Sequence, residues 1–261
     1  SNHYNLDAIM PKKFFRLVTI VSCLLTFVVG SMDVCSSELA DEATTPLSKP
    51  DLDKAMAPVF QDASFILGPA VKQFEANFAK YVGTKHCVSL HSGTAALHLA
   101  LMAMGIGPGD EVITVANTFV ATVEGIAFAG ATAKLVEVDP VTYNMDYKEL
   151  DKVVTSKTKA IIPVHLYGQT AAMKELMAWA DAKGIKVLED SCQAHGAKHF
   201  GQNAGTFGVA SCFSFYPGKN LGAAGEGGAT GQSCGRDRTS GQKGNQFAFH
   251  CRLSSRFVVG R

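Results

Sequence analysis

The sequence lacks an excess of charge of either sign: 24 lysines and arginines stand against 23 acids, for a net charge of +1. That balance calls for neither nucleic acid nor a membrane surface as a partner. It also lacks any C-x-x-C pair. The seven cysteines, Cys23, Cys35, Cys87, Cys192, Cys212, Cys234 and Cys251, are odd in number and scattered. This argues against a disulfide framework or a zinc site, so no metal is expected. Cys23, Cys87, Cys192 and Cys212 lie in or beside apolar runs, where a small buried thiol is ordinary, and a reduced, cytoplasmic compartment follows. The apolar run 17–29, interrupted by Thr19, Ser22, Cys23 and Thr26, is short for a membrane-spanning helix.

That run nevertheless has Lys12, Lys13 and Arg16 in front and Gly30-Ser31 behind. Residues 10–31 thus carry the charge, length and small-residue exit of a secretory signal, and a true signal there means export or anchoring. The other reading, on which the cytoplasmic assignment rests, is that residues 1–45 are foreign to the domain behind them, an upstream translated region or a join.

What is present is an α/β pattern. At 261 residues, 47% hydrophobic and 18% charged, the chain can bury a real core as one large domain or two small ones. Helical spacing covers 51–59 and then Val71, Phe74, Phe78 and Tyr81, broken at Gly68-Pro69. Strand-like runs follow at 87–90, 112–115, 134–138, 160–164, 185–188 and 210–215, with helix-like runs at 94–104, 119–128 and 171–182 between them. Short apolar strands separated by helix-length segments predict βαβ units and a mainly parallel sheet covered by helices on both faces. The ordered domain is expected over 46–228. Residues 229–261 carry Arg236, Arg238, Lys243, Arg252, Arg256 and Arg261 against the single acid Asp237, with no persistent period. An irregular basic tail is expected there, as at a truncated or frame-shifted end.

Candidate site residues all fall where such a sheet binds ligands, beyond the carboxyl ends of its strands. Ser92-Gly93-Thr94 follows a strand and opens a helix, where glycine and free N–H groups suit a phosphate; the same triplet also makes an ordinary helix cap. Asp190 ends a strand, where an acid can cap, or can hold a pyridine nitrogen protonated. Gln193 can hydrogen-bond a cofactor's 3′ oxygen. Phe119, expected to begin a helix, can pack in the core or stack on a flat ring. Ser214 can bind phosphate, and Lys219 sits in a glycine-rich loop just past a strand end. A lysine amine, a strand-end aspartate and a glycine-serine-threonine turn are the parts needed to hold pyridoxal 5′-phosphate, with the lysine as Schiff-base amine. His195 has no derivable role and reads as a satisfied structural histidine.

Taken together with Asn117-Thr118-Phe119, Pro163-Val164-His165-Leu166-Tyr167-Gly168, Glu189-Asp190, Gln193-Ala194-His195-Gly196 and residues 213–228, these motifs make the chain resemble the DegT/DnrJ/EryC1/StrS nucleotide-sugar aminotransferases. The resemblance runs from about residue 46 to residue 228. It implies the large domain of the aspartate aminotransferase-like, fold-type I pyridoxal-phosphate fold, with the family's smaller C-terminal domain missing. It also implies that Lys219 bonds the cofactor and shuttles protons, Asp190 pairs with the pyridinium, Gln193 meets the 3′ oxygen, Phe119 stacks on the ring, and Gly93, Thr94 and Ser214 bind phosphate. Glutamate or glutamine would donate the amino group to a nucleotide-linked keto-deoxysugar such as a dTDP-3-keto-6-deoxyhexose, in a homodimer with shared sites. Two rival readings are a truncated, catalytically inactive scaffold that keeps the cofactor pocket, and an exported binding protein that reuses the fold.

Overall fold

The computed structural model describes residues 48–223 and 225–232. The signal-like segment, Cys23, Cys35, Cys234, Cys251 and the basic residues of the tail lie outside the described residues. Among the described residues no helix is long and apolar enough to cross a membrane.

Two helices come first, α1 (Lys49–Gln61) and α2 (Pro69–Val82), separated at Gly68-Pro69 as the sequence suggests. Proline at a first helical position lacks only an N–H that would have had no intrahelical partner. The chain then alternates through β1 (His86–Leu90), α3 (Gly93–Ala103), β2 (Glu111–Val115), α4 (Ala121–Phe128), β3 (Thr132–Val136), α5 (Leu150–Val153), β4 (Thr158–Ile161), α6 (Met173–Lys183) and β5 (Lys186–Asp190). The hairpin β6 (Lys198–His199) and β7 (Gln202–Asn203) precedes β8 (Ala210–Ser214) and β9 (Gly228–Gln232).

Seven strands form one sheet in the order β1-β9-β8-β5-β4-β2-β3. The pairs β2–β3, β2–β4, β4–β5 and β5–β8 are parallel, whereas β9 runs antiparallel to both β1 and β8. Two reversals leave β1 pointing the same way as β8. The carboxyl ends of β1, β2, β5 and β8 therefore share one edge of the sheet, the edge beyond which such folds bind ligands.

Side-chain alternation fills both faces. Val112, Ile162, Leu188 and Cys212 pack on one side with Leu97, Leu101 and Ile126 of α3 and α4. Ile113, Ile161 and Val187 pack on the other with Leu150 of α5 and Leu176 of α6. A third cluster pins α2 beneath β8: Phe78 meets Phe213 edge-on at 5.0 Å and Phe215 at 5.1 Å. The strands β1 to β5 and β8, with α3, α4 and α6, match the sequence pattern to within a few residues.

Two expectations need correction. Residues 229–232 belong to β9, inside the sheet between β1 and β8, and not to an irregular tail. The segment Gly228-Ala229-Thr230-Gly231-Gln232 has no apolar run to announce a strand, and takes its conformation from pairing on both sides. Phe119 does not begin a helix. It lies in the loop ahead of α4, which starts at Ala121, and its ring is exposed.

Candidate active site

The connection from β1 to α3 turns at Ser92. Its side chain accepts from the Ala95 N–H at 3.1 Å, capping the helix. Immediately after it Gly93 is buried against β8: a Cβ there would lie 2.8 Å from Ser214 Cβ and 3.0 Å from Cys192 Sγ. Only hydrogen fits, so the helix N-terminus with its outward N–H groups lies directly across from the Ser214 hydroxyl. Ser214 faces this way because Phe213 and Phe215 on either side of it turn to the opposite face, into the α2 cluster. Its oxygen accepts from the Tyr216 N–H at 3.3 Å, which leaves its proton to donate. Beneath the turn, a Cβ at Gly228 of β9 would collide with the Ser92 carbonyl, so glycine is what lets the sheet approach so closely.

The two acids ending β5 part company by strand alternation. Asp190 faces the ligand edge and is 5% exposed. Its Oδ1 accepts from the Cys192 N–H at 3.1 Å and its Oδ2 from the Thr122 hydroxyl at 2.7 Å. Glu189 is fully buried on the other face. It accepts from the N–H groups of Gly205, Phe207 and Gly208, each at 2.7 Å, and pairs with His165 Nε2 at 3.0 Å. The Ala171 N–H donates to His165 Nδ1 at 3.2 Å, so the ring proton on Nε2 is the one given to Glu189. Glu189 thus builds the wall on which Asp190 is mounted.

A cavity of about 510 Å³ opens at this edge, and its lining includes Gly93, Thr94, Phe119, Asp190, Gln193, Ser214 and Lys219. Every residue singled out from the sequence for the site is therefore brought to one place. Lys219 is half-buried in a turn closed by its own N–H on the Tyr216 carbonyl at 2.9 Å. Gln193 Oε1 accepts from the N–H of Tyr167, at 2.9 Å. With that oxygen committed, the amide NH2 is the part Gln193 has to offer a ligand. Tyr167 itself takes a left-handed backbone (φ 54°) and is exposed.

His195 departs from the sequence reading. It is buried, as a structural histidine should be, but it is not satisfied: neither ring nitrogen has a hydrogen-bond partner. The ring packs against Phe213 and Phe215 at 5.5 Å each. Burial first, and the nearby Lys219 charge second, push its pKa down to about 4. The Asn220 side chain and the Ser214 backbone pull weakly the other way without reaching hydrogen-bonding geometry. Cys192 also lines the cavity. Burial, with Asp190 next in effect, holds its thiol well above the ordinary range, so it is packing and not a nucleophile.

Thr118, Tyr216 and Glu226, which fall within the motifs but receive no role from the sequence, and Thr122, which the sequence does not single out, also line the cavity. A threonine in a first helical turn carries no signal of its own; the four-residue spacing from Thr118 to Thr122 is the only hint that the two hydroxyls meet.

The residues present fit pyridoxal 5′-phosphate. A helix N-terminus and a serine hydroxyl face each other across a glycine that leaves room for an anion. A buried carboxylate, an amide NH2 and an amine stand on the same cavity wall, with an exposed aromatic ring at the loop before α4.

The model of the DegT/DnrJ/EryC1/StrS aminotransferase family matches residues 47–234. A pleiotropic regulatory protein of Geobacillus stearothermophilus is 50% identical over 180 residues, covering 69% of this chain and 48% of that protein. A UDP-N-acetyl-3-dehydro-α-D-glucosamine 3-aminotransferase of Acidithiobacillus ferrooxidans is 48% identical over 190 residues, 73% of this chain and 49% of that one. Among solved structures, the PLP form of a sugar aminotransferase from Streptococcus pneumoniae superposes with a TM-score of 0.68 at 30% identity. It covers 75% of this chain and 53% of its own. The chain spans about half the length of the curated relatives it matches.

Proposed function

The chain belongs to the DegT/DnrJ/EryC1/StrS aminotransferase family, whose cofactor is pyridoxal 5′-phosphate, and on that premise we propose that it transfers an amino group from glutamate or glutamine to a keto sugar carried on a nucleoside diphosphate. A 3-keto sugar is the acceptor class favoured, because a relative 48% identical is named for amination at that position. The observation that carries the reading is the convergence of Gly93, Asp190, Ser214 and Lys219 on one cavity from four separate stretches of chain. When bound, the cofactor supplies an electron sink for the carbanion formed when the amino acid loses its α proton.

The chain's own residues do the rest. Gly93 and Thr94 at the N-terminus of α3, with the Ser214 hydroxyl, hold the phosphate, where the helix dipole favours negative charge. Asp190 pairs with the ring nitrogen and keeps its proton in place. The Gln193 amide donates to the ring's phenolic oxygen, and Phe119 covers the ring face. Lys219 is the single amine among the lining residues. Its Nζ is the covalent anchor and, once released, the group that carries a proton between carbon atoms. A second copy of the chain is the proposed partner; the exposed Phe65, Ile66 and Leu67 ahead of α2 supply apolar surface for it.

The test is a visible absorption spectrum of the full chain with pyridoxal phosphate, before and after glutamate, followed by mass spectrometry on UDP- and dTDP-linked 3-keto sugars. The expected result is a band that Lys219→Ala lacks, that glutamate removes, and that a keto sugar restores as it becomes an amino sugar. Asp190→Asn should keep part of the band and lose about a hundredfold or more in turnover, the scale of removing one preorganised charge from a reacting centre. A band unchanged by glutamate would replace this reading with that of a cofactor-binding scaffold.

A further inference from the structure

We propose that Thr122 is a positioning residue: its hydroxyl fixes the Asp190 carboxylate in the orientation that pairs with the cofactor's ring nitrogen, and Thr118 orients that hydroxyl from the cavity wall. This rests on the cofactor reading above and adds to it a second tier of residues.

Counting protons gives the chain of hydroxyls a direction. A carboxylate only accepts, so the 2.7 Å contact with Asp190 Oδ2 uses the one proton of Thr122. Thr122 then has only lone pairs to offer Thr118, 2.8 Å away, and Thr118 must be the donor in that pair. The relay therefore runs from Thr118 in the cavity lining, through Thr122, to Asp190. The Cys192 N–H holds the other carboxylate oxygen at 3.1 Å. One donor on each oxygen stops the planar group from rotating and leaves each oxygen a lone pair.

The arrangement is not an ordinary helix start. The residue before α4, Val120, gives it no side-chain cap. The hydroxyls of Thr118 and Thr122 beside it are committed to each other and to Asp190. Thr122 is 1% exposed, so its one proton is spent inside the protein, on Asp190.

The decisive experiment compares two ligands on the full chain, pyridoxal phosphate and its 1-deaza analogue, which has carbon in place of the ring nitrogen. Affinities are read by spectral titration. Thr122→Val, which keeps size and branching, should weaken pyridoxal phosphate about tenfold, the effect of one hydrogen bond to a charged group. The analogue has no ring nitrogen to pair, so the same change should move its affinity by less than about twofold. Thr122→Ser restores the hydroxyl and should restore the parent's preference. Thr118→Val should give a smaller loss in the same selective pattern.

A merely structural threonine predicts that Thr122→Val weakens both ligands alike, and that outcome overturns the proposal. So does parent-like binding by Thr122→Val, or a serine variant no better than the valine. If circular dichroism shows Thr122→Val unfolded, the half-buried Thr118→Val decides, and no selective loss there overturns the relay. A parent chain that binds neither ligand through Lys219 overturns the cofactor reading itself.

Discussion

At the scale of single residues, the site is made of groups whose surroundings decide their state. The His195 pKa falls to about 4 because burial excludes water and, next in effect, because the Lys219 charge lies nearby. An unfolded chain has an ordinary imidazole near pKa 6.5, so between these values the unfolded state takes up a proton that the folded state refuses. Stability is therefore lost as pH falls below about 6.5, by about 2 kcal/mol at pH 5, and the loss is complete near pH 4. Urea unfolding at pH 7 and pH 5 should show this drop in the parent and a smaller one in His195→Leu, whose packing loss is the same at both values. Gly93 makes a complementary prediction. Its Cβ in Gly93→Ala would press on Ser214 and Cys192 at once, parting the helix N-terminus from the serine. Spectral titration should show pyridoxal phosphate binding at least about tenfold weaker. Parent-like affinity would mean that the phosphate does not lie there.

Single elements explain what the sequence makes legible. Strands buried on both faces read as apolar runs, so β2, β5 and β8 and the helices between them can be traced from the pattern of residues alone. Residues at or just past the ends of β1, β5 and β8, Gly93, Asp190, Gln193, Ser214 and Lys219, then fall at one edge, because these strands all point the same way. The strand β9 is not legible in this way, because Gly228 and Gly231 alternate with small and polar residues and its conformation is imposed by its neighbours. Thr122 is hidden for a related reason: what marks it is the atom it touches, 68 residues away. The pair Glu189-Asp190 reads as a unit in the sequence, yet strand alternation separates their tasks. Glu189 carries the structural one, with three backbone N–H groups and His165 relying on its carboxylate. Glu189→Ala strands these donors in a dry interior at about 1–3 kcal/mol each. The expected loss is about 4 kcal/mol or more in urea unfolding, a large part of a domain's whole stability. A loss under about 1 kcal/mol would mean that water enters and replaces the carboxylate.

For the molecule as a whole, the cavity matters because its walls come from segments far apart in the chain, at 92–94, 118–122, 190–193 and 214–226. A ligand touching all four binds the folded state and has no counterpart site in the unfolded one. Ligand at about a hundred times its dissociation constant then adds about 2.7 kcal/mol to stability. For a domain of this size each kcal/mol raises the melting temperature by about 2–4 °C, so pyridoxal phosphate should raise it by roughly 5–10 °C. If the N-terminus of α3 and Ser214 hold the phosphate as proposed, pyridoxal without it leaves them idle and should give a clearly smaller rise. On the proposed reading Lys219→Ala keeps the phosphate contacts but loses the covalent anchor, so its rise should also be smaller without vanishing. Calorimetric scans of the parent and this variant, with each ligand, separate the site from aldehyde reacting at surface amines. Surface reaction would shift both proteins equally and would not distinguish the phosphorylated ligand from the other. A rise that depends on both the phosphate and Lys219 requires one molecule to engage both, because neither contact alone supplies the full rise.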